Sequence, residues 1–160
     1  IKVDDKVVYE EVAAGELPFT FNVIYTSADS FYLEIINGDE VLIVDDMADT
    51  RMLLRLMLGK KAGYRVMEAR SGQEALDHIK DHAIDLVILD YMMPDLDGVE
   101  VLERISSFPL SSQPPVIMLT ARTDYQVREK AMGAGAAHFM SKPVEVKELL
   151  SVSQSLLNKS

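Results

Sequence analysis

At 160 residues, with 48% apolar residues and a net charge of −10, the chain is long enough to bury the core of one domain and too apolar for general disorder. Its acidity argues against a nucleic-acid-binding surface, where Lys and Arg must neutralise phosphates, and the absence of cysteine excludes disulfides and thiolate chemistry. No apolar run nears the roughly 18 residues of a membrane span and no signal-peptide layout opens the chain, so a cytoplasmic location without membrane contact is expected.

Residues 1–39 hold eight acids and two bases, against eighteen and fourteen over 40–160. That shift marks a boundary near residue 39, between a β-rich N-terminal extension of unknown role (1–39) and a larger domain (40–160). Within the extension, Lys6–Val12, Phe19–Tyr25 and Phe31–Ile36 read as strands, with a turn over 27–30. Asn37-Gly38 suits a tight hairpin. The strand that follows is expected inside a sheet with neighbours on both sides, so the pair reads as a sharp linker.

From residue 40, short β-rich runs alternate with stretches of helical period. Strands are expected at Val41–Val44, Tyr64–Glu68, Leu86–Leu89, Val116–Leu119 and Ala136–Met140. Between the first two, Met52, Leu53, Leu56 and Met57 fall on one helical face and predict a core-packed stripe, with Gly63 as the stop. Ser71-Gly72-Gln73-Glu74 has the form of a capping box, Ser71 bonding the third helical N–H and Glu74 reaching back. Val99, Leu102 and Ile105 supply a third helix, Val127, Ala131 and Met132 a fourth, and Leu149, Leu150, Leu156 and Leu157 a fifth. This alternation predicts an α/β fold, a doubly wound parallel sheet of five strands with helices on both faces. Ligands of such sheets bind beyond the carboxyl ends of the strands.

Asp45 and Asp46 follow the first of these strands, Asp90 the third, Thr120 the fourth and Lys142 the fifth. Singly, each is as readily a cap or a surface group. Together at one sheet edge they compose a site. Adjacent carboxylates repel unless something positive sits between them, and a hard cation such as Mg²⁺ (or Mn²⁺) takes oxygen ligands from one or two carboxylates plus water and phosphate. Asp45, Asp46 and Asp90 are therefore expected to hold the metal. Asp90 can act as nucleophile toward a phosphoryl group, whose oxygens Lys142 and Thr120 would stabilise.

With "VDD" at 44–46, "LDYMMPDLDG" at 89–98, "LTA" at 119–121 and "SKP" at 141–143, residues 40–160 resemble a response-regulator receiver domain of two-component signalling. The spacings, 44 residues from Asp46 to Asp90, 30 more to Thr120 and 22 more to Lys142, resemble those of the single-domain chemotaxis type. The resemblance implies a flavodoxin-like strand order 2-1-3-4-5. It also implies Asp90 as phosphoacceptor, Met92 as a metal ligand through its backbone carbonyl, Phe139 as an aromatic switch coupled to Thr120, and a cis Lys142–Pro143 peptide. Met92 and Arg122 occupy positions where the family varies side chains that gate water, so a bulky Met92 is expected to shield the phosphoryl group.

Its implied partners are a sensor histidine kinase or phosphotransfer protein and a downstream effector protein. A homodimer is implied through the face of the fourth helix, fifth strand and fifth helix. The expected function is a phosphorylation-activated switch that assists its own phosphorylation and dephosphorylation without independent turnover. No output segment follows Leu157 in this sequence, which fits a stand-alone receiver or a fragment of a longer protein. One alternative is a metal-dependent phosphohydrolase of the haloacid-dehalogenase type, in which a second Asp would stand at the place of Met92. Another is an adaptor that works without phosphorylation.

Other signals carry less. His78 and His82 lack the HExxH pattern and read as solvent-facing residues near a helix end, and His138 reads as structural. "GAGAA" at 133–137 follows a helix and precedes a strand, the reverse of a nucleotide loop. Asp95 and Asp97 read as turn and cap residues.

Overall fold

The structure, a computed structural model, describes residues 38–121 and 125–157 in full and, before them, the backbone of four strands; 1, 4–5, 8–19, 28–29, 37, 122–124 and 158–160 lie outside the described residues. The chain divides into two units, Ile1–Gly38 and Asp39–Ser160. In the first, β1 (Lys2–Val3) pairs antiparallel with β2 (Lys6–Val7), and β3 (Thr20–Ser27) with β4 (Ser30–Ile36), the latter pair shifting register between Tyr25 and Ser27. The expected strand Lys6–Val12 is described only to Val7. Phe19, Ala28, Asp29 and Asn37 fall outside the described residues.

The second unit alternates β5 (Glu40–Val44), α1 (Ala48–Arg55), β6 (Arg65–Ala69), α2 (Gly72–Asp81), β7 (Leu86–Asp90), α3 (Gly98–Ser106), β8 (Val116–Thr120), α4 (Tyr125–Gly133), β9 (His138–Ser141) and α5 (Val146–Leu157). All four strand pairings are parallel, in the order β6-β5-β7-β8-β9, which is 2-1-3-4-5 by sequence. β5 lies between β6 and β7, which leaves it no edge for a hairpin partner.

The strand period of two sorts the core into two layers. Leu42, Val44, Val87, Leu89 and Met118 face the side packed by α2 and α3, whereas Val41, Ile43, Leu86, Ile88, Ile117 and Leu119 face Leu54 of α1 and Leu149 of α5. Both faces of β7 and β8 are buried, so these strands read as unbroken apolar runs rather than alternating ones. Each such side chain contributes about 1.5–3 kcal/mol relative to exposure.

The first helix turns a different face inward from the one its methionines predict. Met52, Leu53 and Leu56 are exposed, and Met57 is buried with Leu54 and Leu58. The inward stripe runs Arg51, Leu54, Met57, Leu58 at spacings of three and one. Beyond Arg55 the chain widens into a π-helix over Leu56–Lys61, and the wider turn brings both Met57 and Leu58 against the sheet.

Smaller shifts occur at the edges of other elements. The second strand of the sheet begins at Arg65 rather than Tyr64, and the fifth at His138 rather than Ala136. Val99 is only half-buried and Met132 is exposed. Ser71 caps α2 by accepting from the Glu74 N–H, but the Glu74 side chain accepts from Arg70 N–H, one residue before the cap. Asp97 and Glu100 form the complete reciprocal box, at the start of α3. Asp95 reaches across to accept from the N–H groups of Gly72 and Gln73, which satisfies two further donors at the start of α2. Gly63 and Gly135 have positive φ, 74° and 104°, where the chain leaves a helix for a strand.

Candidate functional site

Parallel strands held in register end together, and here Val44 pairs with Leu89, Asp90 with Leu119 and Thr120 with Ser141. The groups that follow β5, β7, β8 and β9 consequently share one edge. Asp45 and Asp90 are buried, at 1% and 6% exposure, Thr120 is fully buried, and Asp46 is exposed. Carboxylate oxygens of Asp45, Asp46 and Asp90 all lie within 4.8 Å of one another. Lys142 Nζ sits 2.9 Å from Asp45 Oδ2 and 3.1 Å from Asp90 Oδ1. Its backbone N–H donates to the Thr120 carbonyl at 2.8 Å, and the Lys142–Pro143 peptide is cis.

The electrostatics follow from one ammonium shared by two buried acids. Burial and the Asp45 charge push the Asp90 carboxyl above its ordinary value, against the opposing pull of Lys142 and the Met92 N–H. Burial acts to lower Lys142, yet its bonds to Asp45 and Asp90 outweigh that and hold it raised. Lys142 is thus firmly charged, while Asp90 carries negative charge at a cost. That is the state of a site short of positive charge.

The residues fit a small divalent cation. Opposite ligands of Mg²⁺ are about 4.2 Å apart at metal–oxygen distances near 2.1 Å, so oxygens already spread over 4.8 Å need only small movements to share one ion. Met92 follows Asp90 with its side chain exposed, and Phe139 is half-buried against the core layer that contains Met118. Arg122 lies outside the described residues.

Arg51, its partner Glu68, and Gly98 serve this edge and escaped the sequence reading. Arg51, buried on the inward face of α1, donates from Nη1 to the Asp45 carbonyl at 2.8 Å and from Nε to Glu68 at 3.2 Å. The signal was a lone arginine in step with Leu54 and Leu58. Gly98 opens α3 so close to β7 that an added Cβ would meet Met118 Sδ at 2.6 Å and the Asp90 carbonyl at 2.9 Å. The histidines stay away from the site: His78 is half-buried with Nε2 3.6 Å from Glu74, not solvent-facing as expected, and His82 is exposed at the end of α2. His138 pairs with Glu148 at 3.9 Å. Among the described residues no helix is long and apolar enough to cross a membrane.

Comparison with known proteins agrees with this geometry. The response regulator receiver domain model matches residues 41–154. The chain is 39% identical over 120 residues to the response regulator MprA of Mycobacterium sp. strain KMS, covering 75% of this chain and 51% of that protein. It is 33% identical over 123 residues to the phosphate regulon transcriptional regulatory protein PhoB of Pseudomonas aeruginosa, covering 77% and 53%. The chain spans about half the length of these curated relatives. Among solved structures, a response regulator from Chloroflexus aurantiacus superposes with a TM-score of 0.72 at 35% identity, over 77% of this chain and 100% of that one. The chemotaxis protein CheY4 of Vibrio cholerae gives 0.67 at 31%, over 75% and 99%. A match that covers most of the chain, on a fold that gathers three acids and a lysine at one sheet edge, identifies it: the chain belongs to the response regulator receiver domain family.

Proposed function

We propose that the domain is a switch that accepts a phosphoryl group on Asp90 from the phosphohistidine of a sensor kinase or phosphotransfer protein. An Asp90 carboxylate oxygen attacks phosphorus; the P–O bond forms as the N–P bond breaks, and the departing electron pair stays on the imidazole nitrogen, which takes up a proton. Asp45, Asp46, Asp90 and the Met92 carbonyl would hold Mg²⁺ or Mn²⁺, which when bound neutralises charge on the acids and on the phosphoryl oxygens. Lys142 leaves its carboxylate contacts for a phosphoryl oxygen, and the Thr120 hydroxyl donates to another. Phe139, packed on the core layer beside Met118, shifts with Thr120 and carries the change to the surface of α4, β9 and α5. Tyr125 and Met132 are exposed on α4, where an effector protein or a second copy would bind. Water attack at phosphorus returns the Asp90 carboxylate and inorganic phosphate, so no independent turnover of small phosphomonoesters is expected. Residues 1–39 form a β-rich extension of unknown role in this reading.

The observation that carries the reading is the bond from one ammonium to both buried carboxylates, Asp45 and Asp90. The exposed apolar side chains of Met47, Met52, Leu53 and Leu56, at and beyond the start of α1, support docking of the donor protein beside the acids. The test is incubation with a small-molecule phosphodonor and Mg²⁺, followed by intact mass. Wild type should gain one phosphoryl group, and none when the metal is chelated before the donor is added, and Asp90→Ala should gain none. Equal labelling of the two proteins would end the proposal.

A further inference from the structure

Arg51 is a charged residue in an apolar row. Its companions on the inward face of α1 and the turn beyond, Leu54, Met57 and Leu58, are buried aliphatic groups, and Arg51 itself is only 9% exposed. A buried guanidinium must find acceptors or cost several kcal/mol. It has two, and neither belongs to the carboxylate trio: the Asp45 main-chain carbonyl at 2.8 Å and Glu68 Oε1 at 3.2 Å. Glu68 Oε2 in turn is 3.1 Å from Nη1 of the more exposed Arg55.

The junction Arg51 grips is under electrostatic load. Asp45, Asp46 and Asp90 repel one another across less than 4.8 Å, and two of them sit in the short turn between β5 and α1. Local restraints on that turn are slight. The Met47 N–H donates to Asp45 Oδ1 at 2.9 Å, the Asp45 N–H donates to the Ala69 carbonyl at 3.2 Å, and Met47 at the start of α1 provides no side-chain cap. Arg51 ties the turn to β6 through Glu68, and because it holds backbone, it leaves the acidic oxygens available.

We infer that Arg51, braced by Glu68, is a positioning residue that fixes the β5–α1 turn so that Asp45 and Asp46 are preset for a divalent cation. The inference rests on the metal reading of the site above. A turn already ordered need not be ordered by the ion, so loss of the brace appears as loss of affinity.

Two readouts on the whole chain test it: the Mg²⁺ dissociation constant by calorimetry, and residue-resolved amide exchange in the metal-free protein. Arg51→Met keeps most of the aliphatic volume and removes both bonds. It should weaken Mg²⁺ binding roughly tenfold and speed exchange at the Met47 amide while Ile117 and Leu119 keep their protection. Arg51→Lys keeps the charge but cannot span two acceptors in the same way, and should recover only part of either effect. Arg55→Ala, which removes the outer and more exposed partner, should change both by less than about twofold.

Wild-type affinity and wild-type Met47 exchange in Arg51→Met would overturn the inference. So would full rescue by Arg51→Lys, or a loss of protection equal at Met47, Ile117 and Leu119, which is general destabilisation. Should Arg51→Met fail to fold, Glu68→Gln serves instead: it should loosen Met47 and weaken binding, and unchanged values would overturn the inference. A wild type that binds no Mg²⁺ defeats the metal reading, while Met47 exchange still decides the role of Arg51.

Discussion

Between Asp90 and Asp97 the chain carries three aspartates, and the fold uses them in opposite ways. Asp95 and Asp97 give their oxygens to backbone N–H groups at the starts of α2 and α3. Asp90, buried beside Asp45, receives one N–H and half the attention of a lysine. The first pair has its charge answered by peptide dipoles and stabilises the fold; the other is left short of positive charge and costs stability. In a receiver domain that shortage is what a bound divalent cation would relieve. A loop acid is therefore sorted by who donates to it, not by its residue type.

The sharpest way to break the contrast is at Gly98, which follows Asp97 in the chain and packs against the Asp90 carbonyl. Gly98→Ala should cost about 3 kcal/mol, because its Cβ would press on Met118 and on the Asp90 carbonyl, which is backbone and yields least. Chemical denaturation should show a lower midpoint with unchanged slope. Lys142→Met removes the shared cation from two buried carboxylates and should cost about 2 kcal/mol in metal-free buffer, less than a fully buried pair because Lys142 is partly exposed. Part of that loss should return on adding Mg²⁺, as seen in paired melting curves with chelator and with metal.

Asp90→Asn should move the other way. Folding raises the Asp90 pKa, so its ionised form opposes folding, and the substitution should stabilise the metal-free protein at pH 7 by on the order of 1 kcal/mol. The gain is complete above the raised folded pKa, shrinks as pH falls through it and vanishes below about 3.8, where folded and unfolded chains are both protonated. A gain that persisted at pH 3 would show that charge is not its source. Among the capping acids, Asp97→Ala should cost about 1 kcal/mol through the lost box.

Asp95→Asn should have the smallest effect, a few tenths of a kcal/mol at most, since Asp95 is exposed. Burial acts to raise its pKa, but hydrogen bonds from Leu96, Gln73 and Gly72 hold it below its ordinary value. Its contribution is therefore present above about pH 3.8 and lost as pH falls through the lower folded value, the reverse of Asp90. Opposite slopes for Asp90→Asn and Asp95→Asn in one pH series of melts would establish the contrast most directly.

Much of this was legible in the residues. Strand ends at Asp45, Asp90, Thr120 and Lys142 could be placed on one edge because parallel strands with helical crossovers can end in chemistry only there. Asp97 could be read as a cap because its partner is local, three residues on. The inward face of α1 could not. Met52, Leu53, Leu56 and Met57 satisfy a helical period, but which stripe turns inward depended on where a sheet five strands wide lay and on a π-turn at Leu56. Asp95 on Gly72 and Gln73, 23 and 22 residues away, was equally invisible as a pair.

By itself the sequence determined the alternation of elements, the parallel sheet and the identity of the groups at its edge, because these follow from local period and from strand termini. Only tertiary structure decided which of the acids would be left wanting a cation, and that a buried arginine would hold their turn from behind. Charge balance in a buried site depends on which distant donors arrive within about 3 Å, and no local pattern encodes that.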